Sequence, residues 1–149
     1  MKRYPLQTLV KLREHRTETA RLLVLERQGA AQACRDACVA TKEEIIALEF
    51  EQGQQRARLL EPPPASFLQA GMPWPTVLAQ REAHIELLGE QAEAARQRLF
   101  KAQETLRQAE LALAEARTAF FRAKARQDAL EKRRDVWRGE QFAHAARVE

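Results

Sequence analysis

From Ile85 to Trp137 the apolar residues fall at alternate steps of three and four: Ile85, Leu88, Ala92, Ala95, Leu99, Ala102, Leu106, Ala109, Leu113, Ala116, Phe120, Ala123, Gln127, Leu130, Arg134 and Trp137. Fourteen of these sixteen positions are apolar, and the spacing puts them on one helix face as the seam of a coiled coil. The first half carries a weaker version through Ala20, Leu23, Arg27, Ala30, Cys34, Ala37, Thr41, Ile45, Leu48, Gln52, Gln55 and Leu59. Its steps from Ala37 to Thr41 and from Thr41 to Ile45 are both four, one residue too many, which reads as a stutter that relaxes the supercoil. Between the two patterns stands Pro62-Pro63-Pro64-Ala65-Ser66-Phe67-Leu68-Gln69-Ala70-Gly71-Met72-Pro73-Trp74-Pro75. Three consecutive prolines cannot continue a helix, because each lacks a backbone N–H and disfavours helical geometry in the residue before it. Pro75, in contrast, is tolerated in a first helical turn. The pattern predicts helix 1 over about 6–60, an elbow over 61–75 and helix 2 over about 75–145.

At about 1.5 Å per residue such helices run roughly 80 and 105 Å, lengths that need a partner along the seam and not propensity alone. A short elbow folds the second helix back on the first. Setting Leu59 opposite Val77 makes facing residue numbers sum to about 136. This register puts Leu99 against Ala37, Leu106 against Ala30 and Leu113 against Leu23; it brings Leu6 near Leu130, so that roughly the last 19 residues overhang. The expected fold is all-α: one domain, 1–149, a long antiparallel two-helix coiled-coil hairpin with a Pro-rich elbow and an overhanging C-terminal helix.

Composition agrees with that picture. Charged residues make up 31% of the chain, only nine residues are aromatic and five are Gly, which suits long helices with solvated faces better than an α/β enzyme. No run approaches the ~18 apolar residues of a membrane span, and the opening Met-Lys-Arg-Tyr-Pro lacks a secretory apolar stretch; a cytoplasmic protein is expected. The net charge is +4. Its distribution is uneven: residues 1–27 hold seven Lys/Arg against three acids and residues 117–138 eight against three, while the remainder is net negative. The antiparallel register brings the two basic segments side by side.

Candidate chemistry is sparse. Cys34 and Cys38 lie four apart on one helix with no His or second Cys pair near them, so they read as buried, inert thiols and not as half of a metal or redox site. His15, His84 and His144 are scattered and belong to no nucleophilic constellation. The sequence therefore predicts no catalytic residue, cofactor, metal or small-molecule substrate. Among the basic residues stand Glu14, Glu18, Glu26, Asp128, Glu131 and Asp135, an alternation that argues against nucleic acid and for an acidic protein surface as partner. At the elbow Phe67, Leu68, Met72 and Trp74 gather large apolar side chains. They read either as a plug over the helix ends or as an exposed patch for a partner.

The N-terminal words Tyr4-Pro5-Leu6, Leu9 and Leu12-Arg13-Glu14 with Arg16 resemble the opening of FliJ/YscO-type proteins of type III secretion systems. The far end is similar too, with Leu130-Glu131 and Arg134 leading into Trp137, Glu140-Gln141-Phe142-Ala143 and Ala146-Arg147; the acidic pair common in flagellar members is here Glu140-Gln141. The resemblance implies a non-enzymatic central stalk, a monomeric hairpin whose paired termini enter the hexameric secretion ATPase, stimulate it and link it to the export gate, a membrane protein with a cytoplasmic domain. Such proteins sit at the inner membrane and also bind export chaperones. By the same resemblance Leu6, Leu9 and Leu12 fix the seam, with Leu23, Ala30, Ile45, Leu48, Leu88, Leu99, Leu106, Leu113, Phe120 and Leu130 continuing it by periodicity. Arg13, Arg16 and Arg134 match the family's basic positions and would face the ATPase, with Arg133 and Arg138 beside them by register. Phe67, Trp74 and Leu78 lie where the family meets the gate. The Tyr-Pro-Leu opening leans toward an injectisome over a flagellum. The alternative reading is a coiled-coil adaptor or chaperone-binding scaffold, and behind it a nucleic-acid-binding helical protein.

Overall fold

The computed structural model describes residues 3–59, 61, 71 and 73–148. Phe67, Leu68 and Met72 lie outside the described residues, and with them the choice between plug and patch. The chain is an all-α helical hairpin of two long helices, α1 (Gln7–Ala57) and α2 (Trp74–Val148); no strand occurs among the described residues. A turn opens α1, in which the Gln7 N–H donates to the Tyr4 carbonyl at 3.1 Å. At the start of α2 the N–H groups of Thr76 and Val77 both donate to the Pro73 carbonyl, at 3.0 and 3.2 Å.

The helices form two compact units. The terminal unit joins Met1–Gln32 with Arg107–Glu149, and the elbow unit is Ala33–Leu106. In the terminal unit α2 buries or half-buries Ala109, Leu113, Ala116, Phe120, Ala123, Gln127, Leu130, Arg134 and Trp137, every position the period picks out there. In the elbow unit it does the same with Ile85, Leu88, Ala92, Ala95, Leu99, Ala102 and Leu106, and extends the seam to Val77.

In α1 the seam takes a different phase from the expected one. From Ile45 toward the N-terminus, strict alternation of four and three meets Thr41, Cys38, Cys34, Ala31, Arg27, Val24, Ala20, Thr17, Arg13 and Val10, and all but Arg27 are buried or half-buried. There is no stutter. Leu23, Ala30 and Ala37 are exposed, as are Leu6 and Leu12 at the start. The reason is local: the run Leu22-Leu23-Val24-Leu25 offers an apolar side chain at every phase, so only continuity with Ile45 selects Val24. Near the N-terminus Tyr4 and Val10 are buried instead of Leu6 and Leu12, and Leu9 packs half-buried against them and Leu130.

The register differs as well. Tyr4 packs at a tilt against Trp137, Val10 packs with Leu130, and the Thr17 hydroxyl approaches the Ala123 carbonyl, pairs whose numbers sum to 140 or 141. That is about one helical turn from the expected 136. A seam of Ala and Leu repeats itself at each turn and does not by itself choose between such registers; the Tyr4–Trp137 pair does. The overhang is correspondingly shorter, and residues 142–148 are all exposed.

Elbow-unit contacts are largely polar at the margins. Arg98 donates to both oxygens of Glu44 at 2.8 and 3.0 Å, and Arg96 pairs with Glu49 across the seam and with Glu93 on its own helix. Gln52 donates from Nε2 to the Ile85 carbonyl at 3.2 Å; Gly89 leaves room for that amide, which would stand 2.8 Å from a Cβ at this position. Just past the end of α1, Arg81 of α2 donates from Nη1 to Arg58 O at 2.8 Å and to Glu61 O at 2.9 Å, and Arg58 O also accepts from the Glu61 N–H at 3.1 Å.

Candidate functional site

The terminal unit concentrates positive charge: 17 Lys/Arg against ten Asp/Glu, net +7, whereas the elbow unit has eight against eleven, net −3. Its end is built on a small core of Tyr4, Val10 and Leu130, with Leu9 and Trp137 packed against it. The Tyr4 and Trp137 ring centroids are 5.4 Å apart at 54°, a tilted arrangement favoured by the ring quadrupoles. Thr17, buried at the seam, lies with Oγ1 2.9 Å from Arg13 O and 3.3 Å from Ala123 O, so its hydroxyl can donate within α1 or across to α2.

The five arginines named for the ATPase contact fall into two groups. Arg16, Arg133 and Arg138 are exposed. Arg13 and Arg134 are half-buried at seam positions, and the Nε of each is buried with no hydrogen-bond partner. A groove of about 930 Å³ runs beside the Tyr4–Trp137 pair, lined further by Phe142 and by Arg3, Lys11 and Arg138. Phe142 is 77% exposed. Periodicity does not find this groove, because Phe142 lies off the seam; the sequence signal for it is the aromatic spacing from Trp137 to Phe142 beside a basic residue.

Among the named elbow residues, Trp74 and Leu78 are described and both are half-buried. The Trp74 ring lies under the Arg81 guanidinium, 5.2 Å from centroid to Cζ, a cation–π contact that ties it to the turn after α1. Arg81, a single Arg in the second turn of α2, has no periodic signature in the sequence. Cys38 is buried and Cys34 half-buried, both as free thiols. Among the described residues no group of three His, Cys, Asp or Glu is placed to hold a metal, and no helix is long and apolar enough to cross a membrane.

No protein-family model and no curated protein matches this sequence. A solved structure does: that of CT670 from Chlamydia trachomatis, described as a candidate YscO homologue, superimposes with a TM-score of 0.76 at 18% identity, covering 100% of this chain and 88% of that one. Two long helices and this superposition over the whole chain together give the protein a YscO/FliJ-like fold.

Proposed function

We propose that the protein is the non-enzymatic central stalk of a type III secretion export apparatus, with its terminal unit docked in the hexameric secretion ATPase. The observation that carries the reading is the fold likeness to a candidate YscO homologue along the entire chain. The net +7 of the terminal unit supports it, because a basic end is complementary to an acidic pore. In this reading Arg16, Arg133 and Arg138 meet the ATPase from exposed positions, while Arg13 and Arg134 act from the seam. The elbow unit, with Trp74 and Leu78, faces the export gate at the inner membrane, and export chaperones bind the same stalk.

The mechanism is coupling without chemistry. One asymmetric hairpin in a six-fold ring contacts the subunits unequally, biases their nucleotide-binding conformations differently and so raises turnover. The test is steady-state ATP hydrolysis by the cognate secretion ATPase titrated with this protein at low salt. Wild type is expected to stimulate saturably. Arg16→Glu with Arg133→Glu, both at exposed positions, is expected to lose most of the stimulation with unchanged helicity. Unaltered stimulation by the double variant would remove the basic-end model, and no stimulation by wild type at any ratio would favour the adaptor reading.

A further inference from the structure

The groove beside the Tyr4–Trp137 pair presents more apolar surface than a purely electrostatic contact uses. Tyr4 is buried and packed at a tilt against Trp137, so the floor is already in place before any partner arrives. Phe142 stands almost fully in water at its edge. Arg3, Lys11 and Arg138 line the same groove, and among the described residues no carboxylate does. A ring left in solvent beside a fixed aromatic floor gains only when a third apolar group enters. Three cations along the groove favour a carboxylate-bearing segment.

We infer that this groove is an aromatic clamp for an acidic segment carrying one large apolar anchor, contributed by the secretion ATPase. The inference rests on the stalk reading and divides its labour. The net +7 of the terminal unit steers the encounter, and Tyr4, Trp137 and Phe142 hold the anchor once it has arrived. Neither Phe142 nor Tyr4 belongs to the charged contact set, so the clamp has its own signature: loss of the ring accelerates dissociation and leaves the salt dependence of association unchanged.

The experiment is association and dissociation of the full chain with the cognate secretion ATPase at two salt concentrations. Phe142→Ala is expected to weaken binding about tenfold, mainly through faster dissociation, and Phe142→Leu to lose less. Phe121→Ala removes a ring that is 66% exposed and lies off the groove, and is expected to bind as wild type does. Equal binding by Phe142→Ala and wild type, or an equal loss from Phe121→Ala, overturns the clamp and leaves the stalk reading standing. Absence of wild-type binding at either salt overturns the stalk reading and the clamp with it. A concentration-dependent doubling of mass abolished by Phe142→Ala assigns the groove to a second copy of the chain and overturns the ATPase as its occupant.

Discussion

Both units carry arginine at the seam, and the arginines do opposite things. In the elbow unit Arg81 hydrogen-bonds the carbonyls of Arg58 and Glu61 in the turn after α1 and covers the Trp74 ring, so its charge has partners within the unit. In the terminal unit Arg13 and Arg134 bury their Nε atoms with no hydrogen-bond partner, a desolvation cost with no return inside the unit. The terminal unit accepts a local cost to keep two arginines at half-buried seam positions.

The largest test of that division is to cut the same volume from each seam. Leu88 in the elbow unit and Leu113 in the terminal unit are buried to similar degrees, 6% and 3% exposed. Either Leu→Ala change is expected to cost about 2–3 kcal/mol, the lower part of the range for buried leucines, since a two-helix seam relaxes toward solvent more readily than a globular core. Hydrogen exchange separates the outcomes: protection should fall chiefly in the unit that was cut. Uniform loss along both helices from either variant would mean that the two units melt as one and that their contrast is chemical only.

Those leucines also mark what periodicity makes legible. The α2 seam is readable because Ala and Leu alternate there with little competition, and all sixteen expected positions are buried or half-buried. In α1 the seam contains Arg13, Thr17, Arg27, Thr41, Gln52 and Gln55, and Leu22, Leu23 and Leu25 crowd the one strong apolar run from outside it. Local pattern therefore lands on Leu23, Ala30 and Ala37, and an apparent stutter is needed to rejoin Ile45. Register is harder still, because repeated Leu and Ala layers are nearly equivalent after a one-turn shift, whereas a single pair, Tyr4 with Trp137, is not. Charge asymmetry between the ends is legible in the sequence. Which arginines stand in solvent is not, since that depends on helix phase to within one residue.

A smaller effect separates the arginines directly. Arg81→Met removes the two short bonds to Arg58 O and Glu61 O and is expected to destabilise the chain by about 1 kcal/mol. Arg134→Met keeps the aliphatic stem and removes a buried, unpartnered Nε from a half-buried side chain; it is expected to stabilise by up to about 1 kcal/mol by relieving that unmet desolvation. Urea unfolding of the two variants measures both signs. Destabilisation by Arg134→Met comparable to that by Arg81→Met would show that the terminal arginines are structural and would erase the contrast between the units.

The smallest effect concerns the ion pairs at the margins. Arg98 hydrogen-bonds both oxygens of Glu44, and that bonding holds the Glu44 carboxyl below its ordinary value. A carboxyl depressed in the folded state contributes fully above the ordinary carboxylate range, near about 4.3. Its contribution shrinks as pH falls toward the lowered folded value and is gone below it. Both side chains are open to solvent, so the pair is weak and screened by salt. The gap in urea midpoint between wild type and Glu44→Gln is therefore expected to be small at neutral pH and low salt, to narrow with added salt, and to vanish in acid. Glu18, bonded to Arg21 three residues along α1, is lowered in the same direction, yet it joins two turns of one helix and nothing across the seam. Glu18→Gln should thus leave exchange protection in the facing stretch of α2 untouched, while Glu44→Gln loosens the stretch around Arg98; equal effects on α2 would mean that these pairs act through helix propensity alone and not by holding the two helices in register.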